Sequence, residues 1–237
     1  MKIEKGEIME FNECLFSRRS IRNFSNKKIS NETIKDIINA GIYAPSACNF
    51  EAWKFIIIDE NNKEKDRLEN PLIKNAPYGI IVTYRNDLFV TGRKYKDYYQ
   101  SSAAAIQNML LYINSIGLGA VWICGLPKAK KIKKAFNIPK NFDIIACIAF
   151  GYPLKGNENS IKAINYHYGN ERDFKQHKRR YTLEQVMCSN TFTTIEGDCT
   201  YAKYPKRKTL IKQLYKNKFR KIKRKLRILL KLDTNLE

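Results

Sequence analysis

The chain of 237 residues is 43% hydrophobic and carries a formal net charge of +21 at pH 7. A chain of this length and hydrophobicity is long enough to bury one large core, which excludes a wholly disordered protein. It contains no signal-peptide pattern and no apolar run of the roughly 18 residues that cross a bilayer, so we expect it in the cytoplasm.

The first part of the chain predicts two helices followed by two strands. Residues Ile8 to Phe16 predict a short helix, and Ser30 is a suitable N-cap for a second helix that Pro45 should end. Two apolar runs of strand length follow, Trp53 to Asp59 and Tyr78 to Tyr84. Because both runs are almost continuously apolar, we expect both faces of each strand to be covered.

The next part predicts a central helix between further strands. The helix from Tyr98 to Ile116 is apolar around most of its circumference, so it should lie in the middle of the core, and Gly117 should end it. A strand from Leu118 to Ile123, a helix from Pro127 to Phe136 and a strand from Asp143 to Pro153 follow. The order is not a regular βαβ series, and neither a dinucleotide-binding G-x-G-x-x-G nor a P-loop is present.

The excess positive charge lies near the C-terminus. From Lys203 to Lys231 there are 14 Lys and Arg and no Asp or Glu, which leaves +7 for the rest of the chain. Apolar residues recur there at steps of three and four, which predicts an amphipathic helix from Lys206 to Leu232 with a basic face. Such a helix would bind an anionic membrane surface, bind nucleic acid without sequence preference, or pack on the rest of the protein. Of these three partners we favour nucleic acid least. We therefore divide the chain into a domain of residues 1–190 and a basic extension of residues 191–237.

Four segments carry groups that suit an anionic, planar ligand. RRSIRNF (Arg18 to Phe24) offers three arginines and a serine in a predicted turn, and guanidinium groups suit phosphate. APSACNFEAWKF (Ala44 to Phe55) presents amide and hydroxyl groups before a strand, and GLGAVWICGLP (Gly117 to Pro127) places glycines on both sides of a strand. HKRRY (His177 to Tyr181) is a second basic cluster. Each segment alone also fits an ordinary turn or a solvated loop. The six cysteines form no C-x-x-C pair and there are only two histidines, which argues against a zinc site.

Together and in this order, the segments resemble the nitroreductase-like flavoprotein family over roughly residues 11–186. RRSIRNF resembles the family's Arg-x-Ser-x-Arg/Lys signature, and APSACNFEAWKF resembles its Pro-Ser-x-x-Asn-x-Gln-Pro-Trp-x-Phe segment. NSIGLGAVWICG resembles its Gly-Leu-Gly-x-x-Trp segment, AFGYP its last strand, and the Lys-x-Arg before Leu183 its final phosphate contact. The resemblance implies an α+β, three-layer fold with a central, mostly antiparallel sheet flanked by helices, followed here by the basic C-terminal helical extension.

The resemblance also implies FMN as the cofactor and assigns its contacts. The residues implied to hold the 5′-phosphate are Arg18, Ser20, Lys178 and Arg180, with help from Arg19. Arg22 would lie near N1 and O2 of the ring, where a cation stabilises the reduced flavin. The residues implied to line the ring and ribityl chain are Pro45, Ser46, Ala47 and Asn49. Backbone N–H groups near Cys124 and Gly125 would face flavin N5. No catalytic side chain is implied, because the flavin performs the redox chemistry.

The implied reaction is transfer of two electrons from NADH or NADPH through FMN to a small oxidised acceptor, such as a nitroaromatic or a quinone. A homodimer is implied as well, with the flavin sites between the subunits. Members of the same fold that degrade flavin or remove halide from aromatic substrates are alternatives. So is a protein that binds polyanions or a membrane surface and has a vestigial flavin site.

Two features depart from the family pattern. Glu51 and Ala52 stand where the family often has Gln and Pro, and a carboxylate close to the flavin would oppose its anionic reduced form. The region between Tyr84 and Tyr98, where such proteins form a lid, matches no family segment that we can assign. The sequence therefore leaves the electron acceptor open.

Overall fold

A computed structural model describes residues 8–88, 97–154, 183 and 186–188. The chain divides into two compact units, Met1–Asp173 and Phe174–Glu237, and the elements below all belong to the first. In the second unit, the carbonyl of Leu183 accepts hydrogen bonds from the N–H groups of Val186 and Met187. The predicted helix of the basic extension and the cluster with Lys178 and Arg180 lie outside the described residues.

Five α-helices are present in the described ranges. They are α1 (Phe11–Ser17), α2 (Asn31–Ile42), α3 (Pro71–Lys74), α4 (Asp97–Ser115) and α5 (Ala129–Ala135). Ser30 caps α2 as predicted, because its Oγ accepts from the N–H of Thr33 at 3.1 Å. Gly117 follows α4 with a φ of 73°, the left-handed conformation that glycine adopts easily.

Three features of the helices differ from the prediction. Pro127 does not lie in the first turn of α5, because that helix begins at Ala129 with Lys128 as its N-cap. Helix α3 was not predicted, nor were the 3₁₀ turns at Ala47–Asn49 and Lys63–Leu68. These elements are too short to show a hydrophobic period.

The sheet has four strands, and every pairing in it is antiparallel. The strands are β1 (Trp53–Ile58), β2 (Tyr78–Arg85), β3 (Gly119–Ile123) and β4 (Phe142–Gly151). Their order across the sheet is β1-β2-β4-β3, so β1 and β3 are the two edges. Helices cover both faces, which confirms the predicted three-layer α+β fold.

The prediction that β1 is covered on both faces was wrong. Lys54 and Ile57 in β1 are exposed, whereas β2 is buried along its whole length except for Arg85. The physical reason is position, because β1 is an edge strand and β2 has a neighbouring strand on each side.

Two apolar layers sandwich the sheet. On one face α2 and α4 pack on β2 and β4, with Ile37, Ile106 and Met109 fully buried. On the other face, Leu68, Ile73 and Ile132 pack against strand residues whose side chains point to this side of the sheet, because successive residues of a strand alternate between the two faces. The central position of α4 is therefore as predicted. No helix within the described ranges is long and apolar enough to cross a bilayer.

Candidate functional site

The arginine-rich segment Arg18–Arg22 runs beside the edge strand β3. Ser20 forms a parallel bridge with Ala120, and the N–H of Ile21 donates to the carbonyl of Ala120 at 2.9 Å. Two residues after Arg22, Phe24 bridges Pro153 just beyond β4. The segment is thus fixed by backbone pairing at both of its ends.

Two glycines make room for this segment. Gly119 and Gly151 are partners in the β3–β4 register. A Cβ added at Gly119 would lie 2.7 Å from the Cβ of Ile21, and one at Gly151 would lie 2.6 Å from Cγ of Pro77 and 3.1 Å from the Cβ of Phe24. The glycines beside β3 predicted that another group would approach this strand closely, and the group that does so is the arginine-rich segment.

The segment carries three guanidinium groups, and its backbone pairs with Ala120 near the start of β3. The exposed Arg19 donates to the carbonyls of Phe16 and Arg18, at 2.7 and 2.8 Å. Arg22 is half-buried and donates to the carbonyl of Ser20 at 3.0 Å, and Arg18 is half-buried as well. Such a group of planar, charged donors is suited to a phosphate dianion.

The opposite end of β3 presents open backbone. Cys124 and Gly125 are exposed, and a Cβ built at Gly125 would meet nothing within 4 Å. Cys124 follows Ala120 by four residues, which is about 13 Å along an extended strand. Between them, Nε1 of Trp122 is buried and has no hydrogen-bond partner in the described part of the chain. An arginine-rich segment near the start of a strand and open backbone just after its end suit an elongated ligand with a phosphate.

The segment Pro45–Asn49 is held in an unusual backbone conformation. Cys48 and Asn49 both have a positive φ, of 50° and 54°. Two hydroxyl groups hold the surrounding backbone, because Oγ of Ser46 accepts from the N–H of Glu51 and Oγ of Ser101 accepts from the N–H of Ala47, both at 3.0 Å. Non-glycine residues in this region cost on the order of 1 kcal/mol or more, and such strain is often found at functional sites.

The structure does not bring Pro45–Asn49 next to Arg18–Arg22 within one chain. The first segment bonds to Ser101 near the start of α4, whereas Asn114 near its end donates to the carbonyl of Cys14 in α1. Thirteen residues of helix separate Ser101 from Asn114, which is about 20 Å. A ligand that contacts both segments must span that length or lie between two copies of the chain. The predicted contacts Lys178 and Arg180 are outside the described residues.

Sequence reasoning missed Asn70, which supports the turn at Gly125. This side chain is buried, accepts from the N–H of Leu72 as the N-cap of α3, and donates to the carbonyl of Gly125 at 3.1 Å. The Asn-Pro pair at its position was a usable signal, because Asn favours N-caps and Pro favours the first helical position.

Replacing Asn70 with alanine should loosen both α3 and the Gly125 turn. Loss of an N-cap costs about 1 kcal/mol, and the partly buried bond to the Gly125 carbonyl adds to that, so we expect the free energy of unfolding to fall by roughly 2 kcal/mol. Urea denaturation measures the change. Asn62→Ala is the matched control, because Asn62 caps the Lys63–Leu68 turn through the N–H of Glu64. A loss in Asn62→Ala as large as that in Asn70→Ala would contradict a role for the Gly125 bond.

The cysteines near the candidate site differ sharply from the core cysteine in reactivity. Burial raises the pKa of Cys147 to about 12, so its thiol stays protonated at pH 8. Cys48 and Cys124 are exposed. We expect iodoacetamide at pH 8 to modify both within minutes and to leave Cys147 unmodified in the folded protein, as measured by peptide mass spectrometry. Rapid labelling of Cys147 in the native protein would show that the core opens more easily than its burial indicates.

Comparison with known proteins identifies the family. The model of the Nitroreductase family matches residues 15–78 and 63–152. The chain belongs to the nitroreductase family and is an oxidoreductase of that type. A protein of Archaeoglobus fulgidus with the provisional name NADH dehydrogenase/NAD(P)H nitroreductase is 32% identical over 151 residues, which cover 60% of this chain and 86% of that protein.

Two further comparisons bear on fold and activity. The crystal structure of a nitroreductase family protein from Clostridium novyi NT is 28% identical, with a TM-score of 0.57, and the match covers 63% of this chain and 88% of that one. An iodotyrosine deiodinase of Haliscomenobacter hydrossis is 25% identical over 181 residues, covering 62% of this chain and 81% of that protein. The likeness therefore extends to more than one activity within the family.

Proposed function

We propose that this protein is an FMN-dependent enzyme that transfers two electrons from NADH or NADPH to a small oxidised acceptor, such as a nitroaromatic or a quinone. The observation that supports it best is the position of Arg18–Arg22 against β3, with Cys124 and Gly125 at the other end of the same strand. The charged end suits the 5′-phosphate, and the open backbone end suits the edge of a planar ring. The name NADPH-flavin oxidoreductase carried by another relative agrees with this assignment.

The residues of this chain would hold FMN in two ways. The guanidinium group of Arg18 and the hydroxyl of Ser20 would bind the phosphate, with Lys178 and Arg180 as predicted further contacts. Arg22 would supply a fixed cation for the pyrimidine ring, and the backbone at Cys124 and Gly125 would contact the ring at N5. Bound FMN supplies the centre that accepts and donates the electrons, so the chain needs no acid or base of its own.

Glu51 need not oppose the flavin. It is exposed and its backbone has a positive φ of 47°, a conformation that continues the unusual course of the Pro45–Asn49 segment. The backbone N–H of Glu51 donates to Oγ of Ser46, so the role we assign to Glu51 is to fix the backbone conformation of the segment Pro45–Asn49. Glu51→Gln should then leave FMN affinity unchanged.

A homodimer would unite the two separated parts of the site. Pro45–Asn49 of one copy could meet Arg18–Arg22 of another, which removes the problem of the roughly 20 Å between them within one chain. Large apolar side chains near α1 and the end of α2 are exposed, with Phe11 at 67%, Phe16 at 73% and Tyr43 at 85% of their surface. An apolar patch of this kind typically marks an interface. Light scattering of the purified protein should give twice the chain mass of 27.7 kDa.

The visible spectrum tests the cofactor and the donor together. Protein saturated with FMN and freed of excess should be yellow, and anaerobic NADPH or NADH should bleach it. A nitroaromatic or quinone should then restore the colour, with ping-pong steady-state kinetics. Protein that stays colourless after incubation with FMN would refute the proposal.

Reductive dehalogenation is the second candidate activity, because one relative is named iodotyrosine deiodinase. The two activities share the flavin and differ in the acceptor. Iodotyrosine added to the reduced protein should restore the colour with release of iodide if dehalogenation is the activity, and should do nothing if the acceptor is a nitroaromatic or quinone.

For the basic extension we propose contact with an anionic membrane surface by a protein that resides in the cytoplasm. Its 14 cations without acids between Lys203 and Lys231 would contribute on the order of 1 kcal/mol each near such a surface. Co-sedimentation with vesicles containing phosphatidylglycerol should require the residues after Ala202, whereas FMN binding should not. Equal sedimentation of the truncated chain would refute this assignment.

A further inference from the structure

Asp143, at the start of β4, receives contacts from three elements. Its Oδ1 accepts from Nδ2 of Asn86 at 2.9 Å, just after the end of β2. Its Oδ2 accepts from the hydroxyl of Tyr98, in the first turn of α4, at 3.3 Å. Nζ of Lys133 in α5 lies 3.6 Å from Oδ1, with both side chains largely shielded from solvent. One half-buried carboxylate therefore ties β2, α4 and α5 together.

These contacts connect Asp143 to the segment Pro45–Asn49 through α4, and to the turn at Cys124 and Gly125 through α5. Tyr98 lies one helical turn before Ser101, whose Oγ holds the N–H of Ala47. Lys133 lies in α5, the first helix after Cys124 and Gly125, and its Nζ also donates to the carbonyl of Lys140. In the described ranges, no other carboxylate contacts both the first turn of α4 and helix α5.

The neighbours of Tyr98 favour a fixed arrangement. Its ring stacks on Tyr84, with centroids 6.4 Å apart, and tilts against Tyr99 at 4.5 Å. Burial raises the pKa of the Tyr98 hydroxyl, so this group remains a donor to Asp143 at all physiological pH values. The first turn of α4 is thus held by ring packing on one side and by a long hydrogen bond to a carboxylate on the other.

We propose that Asp143 is a positioning residue that sets the first turn of α4, and through Ser101 the segment Pro45–Asn49, for cofactor binding. The effect on cofactor binding rests on the proposed function, whereas the effect on the first turn of α4 concerns the protein alone. Asp143 touches neither cofactor nor substrate in this assignment. It acts through Tyr98 and α4.

Asp143→Asn tests the inference, because an amide keeps the shape of the side chain but removes the negative charge that faces Tyr98 and Lys133. We expect the dissociation constant for FMN and the KM for the acceptor to rise about fivefold, the effect of one weakened bond to a charged group, while kcat changes less than about twofold. In the protein without FMN, amide hydrogen exchange at Ala47 should be about tenfold faster by NMR. Tyr98→Phe should reproduce these changes, and the double variant should be no worse than either single one.

Asp87→Asn is the matched control. Asp87 is an exposed carboxylate close in the chain that pairs with Arg85 and accepts from Asn141, and none of its bonds reaches α4. It should leave exchange at Ala47 and the FMN dissociation constant unchanged. Exchange at Ala47 that stays within twofold of wild type in both Asp143→Asn and Tyr98→Phe would overturn the inference. Wild-type protein that fails to bind FMN would instead refute the proposed function, and the exchange measurement would still decide the role of Asp143.

Discussion

Replacing Gly119 with alanine should displace the arginine-rich segment from β3 and weaken FMN binding by more than about tenfold, or 1.4 kcal/mol. The added Cβ would lie 2.7, 2.8 and 2.9 Å from the Cβ, Cγ2 and Cγ1 of Ile21. These atoms belong to the stiff, branched part of the side chain, so a rotamer change does not relieve the contact. The backbone of Ile21 must move, and with it the Ser20–Ala120 pairing that places Arg18 and Arg22.

The same change should also lower the free energy of unfolding by roughly 1–3 kcal/mol, as overpacking usually does. Fluorescence titration with FMN and urea denaturation measure the two effects. Gly79→Ala is the control, because a Cβ at this other buried strand glycine would be in ordinary contact, 3.5 Å from the carbonyl oxygen of Ile148. Tight FMN binding by Gly119→Ala would show that the position of the segment against β3 is not required.

Elements with many neighbours were the ones that the sequence predicted well. Strand β2 is buried except at Arg85, and the buried face of α4 is mostly apolar, so the bounds of both elements were close to correct. The edge strand β1 has an equally apolar run but leaves Lys54 and Ile57 exposed. Composition alone does not distinguish an edge strand from a central one, because the difference lies in which strands pair.

The candidate site was predictable where its chemistry is local. Three arginines within five residues suit an anion, and glycines beside a strand indicate close contact. The partner in that contact, Ile21, lies almost a hundred residues from Gly119, so only the register of the folded chain reveals it. For the same reason the sequence showed Asp143 only as the start of a strand, since its partners Asn86 and Tyr98 lie 57 and 45 residues away in the chain.

The separation of Pro45–Asn49 from α1, along the roughly 20 Å of α4 between Ser101 and Asn114, also has a long-range origin. A family resemblance assigns several motifs of one sequence to the same cofactor. It does not say whether these motifs come from one chain or from two copies of it. Helix α4 holds the two segments at its opposite ends, through Ser101 and Asn114. This separation is the structural observation that supports the proposed sharing of the site between two copies.

Arg18→Gln should weaken the binding of FMN about 30- to 100-fold and leave the binding of riboflavin almost unchanged. A hydrogen bond to a charged group is worth about 1.5–3 kcal/mol, and loss of the guanidinium group removes such a bond to the phosphate dianion. Riboflavin has the same ring and ribityl chain without the phosphate. The ratio of the two dissociation constants, measured by quenching of flavin fluorescence, therefore isolates the interaction with phosphate from any general damage to the site.

Arg67→Gln provides the matched change of charge away from the site, because Arg67 forms a surface pair with Glu64 at 3.4 Å. It should leave both dissociation constants within about twofold of wild type, since exposed pairs contribute little. Arg19→Gln should have an intermediate effect, because its guanidinium group is already bonded to two backbone carbonyls. Equal losses of FMN and riboflavin affinity in Arg18→Gln would mean that this arginine supports the segment instead of binding phosphate, and the charged end of β3 would then need a different ligand.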